Sequence, residues 1–212
     1  MLTISKITRP AFERNEQDRQ EYKMLIDRHF RPEQLVFADE SHFNRITLRR
    51  PYAWSLRGER SRFEFFHRGT KYSILPALSL DGIMHLEVVE NAITGNVFRE
   101  FVAGLLRRMN KWPLAHSVLV VDNASIHKVA GIREMVEEHG ARLVYLPAYS
   151  PDLNPIELAF SSIKAWLRAN RDRVNQELET GTVYDAFWEA VHTVTAEHAA
   201  GWYKHCGYTL PD

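Results

Sequence analysis

The chain has 212 residues, 45% apolar and 25% charged, which is one globular domain's length with enough apolar mass for a full core, and this excludes a mainly disordered chain. Lys and Arg together number 27, as do Asp and Glu, so the formal net charge is zero and any contact with nucleic acid must use a local basic patch. The single cysteine, Cys206, excludes an internal disulfide. Lys6, Arg9 and Glu13 interrupt the apolar start before a signal peptide or membrane span can form, so the chain reads as soluble and intracellular, with no membrane partner.

Tyr22, Leu25, Ile26 and Phe30 recur at rough helical spacing, which predicts a helix over residues 14–29 that Pro32 stops. Gln34-Leu35-Val36-Phe37-Ala38 reads as a buried first strand that delivers Asp39 at its end. Residues 41–71 then hold eight cations against two acids, a concentrated positive segment in a neutral protein. Residues 72–80 and 83–89 read as antiparallel strands joined by Asp81-Gly82, a strong turn signal because both residues can take positive φ.

A crossover helix opening at Thr94-Gly95-Asn96 carries Val97, Phe98, Phe101, Leu105 and Met109 on one face and ends before Trp112-Pro113. Ser117-Val118-Leu119-Val120-Val121 has the β-branched character of a central strand covered on both faces, and Asp122 closes it. There follow a helix over 128–139 stopped by Gly140, a short strand over 142–146, the rigid loop Pro151-Asp152-Leu153-Asn154-Pro155, and a helix to about residue 170 with Glu157 in its first turn. Phe187, Val191, Val194 and Trp202 give residues 183–203 an amphipathic helical pattern, with Gly207-Tyr208 as a tail.

Three carboxylates thus lie where elements end over one edge of a sheet: Asp39 and Asp122 after strands, and Glu157 at a helix start. Ligands of open α/β sheets gather at the carboxyl ends of strands, and acids converging there repel unless cations neutralise them. Hard oxygen donors favour magnesium or manganese, and two such ions suit phosphodiester hydrolysis or transfer. Taken singly, Asp39 and Asp122 also suit turns or caps. Asn154 and Glu157 have the spacing of a capping box, with Pro155 at the first helical position.

Phe37-Ala38-Asp39-Glu40-Ser41, Val121-Asp122-Asn123-Ala124-Ser125-Ile126-His127 and Ser150-Pro151-Asp152-Leu153-Asn154-Pro155-Ile156-Glu157 resemble the three signature blocks of mariner-superfamily DDE transposases. The 34 residues between Asp122 and Glu157 match the spacing of that superfamily's DDE subset. The resemblance implies an RNase H-like fold, a mixed central sheet flanked by helices, in which Asp39, Asp122 and Glu157 are the catalytic triad and hold two Mg2+ or Mn2+ ions. It also implies cleavage and strand transfer of DNA, transposon ends and target, by a homodimer in the DNA complex, in the nucleus where the host is eukaryotic. Glu40, Asn123, His127, Asn154 and Pro155 fall beside the site as its support.

On this reading, residues 1–33 are an N-terminal helical linker, 34–172 the catalytic domain with its basic insertion 41–71, and 173–212 a C-terminal helical extension packed on the same domain. Arg45, Arg49, Arg50, Trp54, Arg57, Arg60 and Arg62 of the insertion, with Lys128 and Lys164, are the expected DNA or partner contacts. The family's helix-turn-helix region normally precedes the catalytic domain, where this sequence has about thirty residues. Two alternatives therefore stay open: a transposon-derived, non-catalytic DNA-binding or dimerisation module, and a free-standing nuclease acting on RNA–DNA hybrids through the same triad.

Overall fold

The structure, a computed structural model, describes residues 13–44, 47, 55–59 and 70–210. The first helix, α1 (Glu16–His29), starts where the Asn15 side chain accepts from the Gln17 N–H, and a short 3-10 turn at Pro32–Gln34 leads into β1 (Leu35–Ala38) and β2 (Ser41–Phe43). Next come β3 (Tyr72–Ser79), β4 (Gly82–Glu90), α2 (Gly95–Leu106), β5 (Val118–Val121), α3 (Ile132–His139) and β6 (Arg142–Tyr145). Four helices close the chain: α4 (Pro155–Ala169), α5 (Arg171–Thr180), α6 (Tyr184–His192) and α7 (Ala196–His205).

One mixed sheet organises these elements. β3 carries β4 on one side and both β1 and β2 on the other, all antiparallel, while β5 and β6 extend the sheet from β1 as parallel neighbours. β1 and β2 keep a single register against β3, so they are one strand interrupted at Asp39 and Glu40. Carried across the gap, that register sets Asp39 opposite Pro76, which has no N–H to give a ladder. The interruption leaves two acidic residues at the point where the sheet opens.

Alternation along the strands divides the core in two. Leu35, Phe37, Val118 and Val120 point to the face covered by α1, α4, α6 and α7, whereas Val36, Ala38, Leu119 and Val121 point to the face covered by α2 and α3. Burial on both faces is why β1 and β5 read as unbroken apolar runs. Each fully buried side chain of this size contributes roughly 1.5–3 kcal/mol. Tyr203 of α7 is wholly buried, and its hydroxyl donates to the carbonyls of Leu35 (2.9 Å) and Leu78 (3.2 Å), tying β1 to β3 from beneath.

Several expected boundaries move for local reasons. The hairpin turn is Leu80-Asp81, not Asp81-Gly82: Ser79 pairs with Gly82, and Gly82 alone takes positive φ, at 106°. A Cβ there would lie 3.0 Å from the Val194 carbonyl oxygen, so glycine is required twice over. The helix expected from residue 128 begins at Ile132, because Ser125–Lys128 form a 3-10 turn and Gly131, at φ 88°, breaks the path between them. The pattern over 183–203 is two helices, α6 and α7, with Thr195 capping the second through the His198 N–H.

Candidate acidic active site

The parallel pairing of β1 with β5 runs in register to Ala38 beside Val121. One residue further on each strand, Asp39 and Asp122 stand side by side, on backbones about 4.8 Å apart. α4 supplies the third acid: the Pro151–Leu153 3-10 turn and Pro155, fixed at the first helical position, aim the helix start at the strand ends. Asp39, Asp122 and Glu157, with Asn123, Tyr149 and Asn154, line a single cleft of about 350 Å³.

Asp39 is the buried member, 8% exposed. The Glu40 N–H donates to its Oδ1 (2.8 Å), and the Asn154 side-chain amide donates to its Oδ2 (3.0 Å). Those two bonds do not offset its surroundings. Burial first, then repulsion from Asp122, Glu40 and Glu157, push its pKa up to about 8. Glu157 is also raised, by partial burial of its carboxyl and by Asp122 and Glu40, against a downward pull from Lys164.

His127 answers part of this crowding. Its ring is fully buried and packs on Phe98 at 4.4 Å, with Nδ1 2.6 Å from Asp122 Oδ1 and Nε2 3.2 Å from Glu40 Oε2. Burial alone would lower its pKa, but the hydrogen bonds to the two carboxylates prevail and raise it to about 9, so both ring nitrogens carry protons near neutrality. Despite their own partial burial, Asp122 and Glu40 are held below the usual carboxylate range, chiefly by the His127 hydrogen bond. The Ala124 N–H also donates to Asp122 Oδ1 at 2.9 Å.

The expected support residues take distinct places. Asn123 and Asn154 line the cleft, Pro155 is buried at the head of α4, and Glu40 and His127 lie behind the acids. The capping-box reading of Asn154 and Glu157 is overturned: the Asn154 side chain makes no cap bond, its amide donates to Asp39, and its Oδ1 stays buried without a partner. Lys164, two turns along α4 from Glu157, lies over the rings of Phe43 (5.5 Å) and Phe160 (5.9 Å). Lys128 and Arg57 are exposed, while Arg45, Arg49, Arg50, Trp54, Arg60 and Arg62 lie outside the described residues.

Two features of the site had weak or no sequence signal. Glu40 and His127 are 87 positions apart, and only the sheet brings the strand gap and the 3-10 turn together. Tyr149, a cleft residue 55% exposed, sits at φ 54°. Its place after Pro147-Ala148 in a turn-rich stretch was the one available hint.

Residues 34–178, more than half of the chain, match the DDE superfamily endonuclease family. The chain belongs to this family. Among solved structures, it is similar to a pre-cleavage Mos1 transpososome at 18% identity and a TM-score of 0.63, over 100% of this chain and 69% of that one. A Mos1 mariner paired end complex with Mn aligns at 17% identity and a TM-score of 0.59, again over 100% and 69%. The catalytic domain of Mos1 mariner transposase aligns at 15% identity and a TM-score of 0.54, over 96% and 98%. These likenesses establish the expected RNase H-like fold for the DDE chain. No curated protein matches its sequence. No helix among the described residues is long and apolar enough to cross a membrane.

Proposed function

We infer that this DDE endonuclease is the catalytic domain of a mariner-type DNA transposase, with Asp39, Asp122 and Glu157 as its catalytic acids. The observation that carries this reading is the convergence of the acids from three separate sequence blocks in one cleft, within the matched span. The non-catalytic module is not favoured, because a scaffold gains nothing from burying Asp39 among three other carboxylates. The wording of the third block also weighs against a free-standing hybrid nuclease.

The donor set fits divalent cations. Asp39, Asp122 and Glu157 offer carboxylate oxygens to the cleft, and burial first, then the neighbouring carboxylates, make the Asp39 charge costly without a cation. Bound there, two Mg2+ or Mn2+ ions would activate a water or hydroxyl and stabilise the leaving oxygen of a phosphodiester. Asp39, beside Asp122 at the strand ends and the most buried of the three, would serve both ions, with Asp122 and Glu157 each holding one. His127 and Glu40 contribute by holding Asp122 in one rotamer, and Asn154 does the same for Asp39. Of the donor atoms of Asp39, Glu40 and His127, which lie within 4.8 Å of one another, those of His127 are already committed to carboxylates.

DNA is the proposed substrate, and paired transposon ends imply at least a dimer in the working complex, in the nucleus of a eukaryotic host. The cationic insertion 41–71, with Lys128 and Lys164, is proposed to contact the phosphate backbone or the partner. The test is cleavage and joining of labelled, pre-nicked and supercoiled DNA in Mg2+ or Mn2+, beside Asp39→Ala, Asp122→Ala and Glu157→Ala. Metal-dependent cleavage lost in all three variants is expected. Cleavage indifferent to them, or absent even with terminal-repeat DNA and partner protein added, overturns the proposal.

A further inference from the structure

Asp152 belongs to the third sequence block, yet it is not among the residues lining the acid cleft. Its carboxylate is taken instead by Arg19 of α1, whose Nη1 donates to Oδ1 (3.0 Å) and Nη2 to Oδ2 (2.7 Å). Arg19 is only 5% exposed, and a planar guanidinium forked onto a carboxylate fixes orientation as well as distance. α1 lies outside the span matched by the endonuclease family.

A second grip closes on the next residue. One turn along α1, the Tyr22 hydroxyl bonds the Tyr208 hydroxyl (2.9 Å), which donates to the Leu153 carbonyl (2.7 Å), all three being buried. The turn is thus held at Asp152 and Leu153 from α1 and the C-terminal tail. Asn154 follows directly, and its side-chain amide reaches Asp39 Oδ2 at 3.0 Å. A turn free to rock by an ångström would lose that bond, since hydrogen bonds weaken steeply beyond normal length.

We propose that Arg19 and Tyr22 are positioning residues for the acid cleft: through Asp152 and Leu153 they set the turn that aims Asn154 at Asp39. The claim rests on the DDE reading for its consequence in catalysis, but not for its geometry. Because an ion pair whose carboxylate is half-exposed adds little stability, the fork is better explained by the orientation it enforces.

The test uses the full chain and reads the Asn154 side-chain amide by NMR, assigned by its loss in Asn154→Ala, alongside melting temperature and DNA cleavage rate. Arg19→Met and Asp152→Asn are each expected to move the Asn154 amide pair to the position of a free asparagine. Asp152→Glu is expected to restore it. Cleavage should fall about tenfold and recover in parallel, the usual scale for losing an outer partner of a metal ligand. Unchanged Asn154 signals in variants with lowered melting temperatures overturn the proposal. If Arg19→Met does not fold, Asp152→Asn and Tyr208→Phe carry the same measurement. Shifted Asn154 signals in a chain whose parent cleaves no DNA support the positioning and instead sink the catalytic reading.

Discussion

Replacing Asp39 by asparagine is expected to stabilise this protein at and above neutrality but not in acid. In the folded chain the Asp39 pKa is pushed up to about 8, against 3.8 in the ordinary case. An acid raised in this way stays protonated in the native state while its unfolded counterpart ionises, so stability falls as pH rises from about 3.8 and levels off beyond about 8. At pH 7 the gap spans about three units, worth roughly 4 kcal/mol as a ceiling at about 1.4 kcal/mol per unit. Sharing of the titration with Asp122, Glu40 and Glu157, and relaxation of the cleft, bring the working figure to about 2 kcal/mol.

An asparagine also fits the existing bonds. Its oxygen can accept from the Glu40 N–H, and a flip of Asn154 would present Oδ1, a buried atom with no hydrogen-bond partner, to the new amide. For a domain of this size, about 2 kcal/mol corresponds to a rise in Tm of roughly 4–8 °C. The assay is thermal unfolding of Asp39→Asn and the parent chain at pH 4 and pH 7, in chelator and then with Mn2+. The gain should be near zero at pH 4 and large at pH 7, and Mn2+ should stabilise the parent more than the variant. A variant no more stable than its parent at pH 7, or equally stabilised at both values, would refute the electrostatic account.

Other outcomes follow from the same geometry. His127→Ala should cost about 3 kcal/mol by urea unfolding at pH 6, because it strips a buried bridge from Asp122 and Glu40. Since the His127 pKa is raised to about 9, its contribution is complete below about 6.5 and is lost as pH climbs through 9, so parent and variant should converge there; parallel curves would contradict this. Gly95→Ala should cost about 1–3 kcal/mol, since a Cβ would lie 2.4 Å from Val129 Cγ2, and Val129→Ala in the same chain should recover most of it in a double-mutant cycle. Tyr203→Phe should lower stability by about 1 kcal/mol, read as a shifted denaturation midpoint at constant m, because one hydroxyl serves both the Leu35 and Leu78 carbonyls.

Much of the fold was legible along the chain because its signals are local. β1 and β5 are buried on both faces and therefore written as continuous apolar residues, and α2 and α4 show their apolar stripes at helical spacing. The same locality explains the misplaced pieces. β2 is three residues long and depends on β3 for its register, and the Leu80-Asp81 turn is set by pairing of Ser79 with Gly82, not by the strongest turn dipeptide.

For the site, the three proposed acids and the ends on which they ride were legible along the chain, since a strand that must be buried can place an acid only where it emerges. The donor chemistry was legible too, because carboxylates at strand ends are hard oxygen ligands. What holds those acids in place depends on packing between distant elements. The assignment of His127 to Glu40, of the Asn154 amide to Asp39, and of Arg19 to Asp152 all join residues separated by at least one element. Side-chain hydrogen bonds of that kind have no periodicity and leave no mark on neighbouring residues. They are fixed by how the β1–β5 register, the interruption at Asp39 and the packing of α1 and α4 on one face of the sheet bring those atoms within reach.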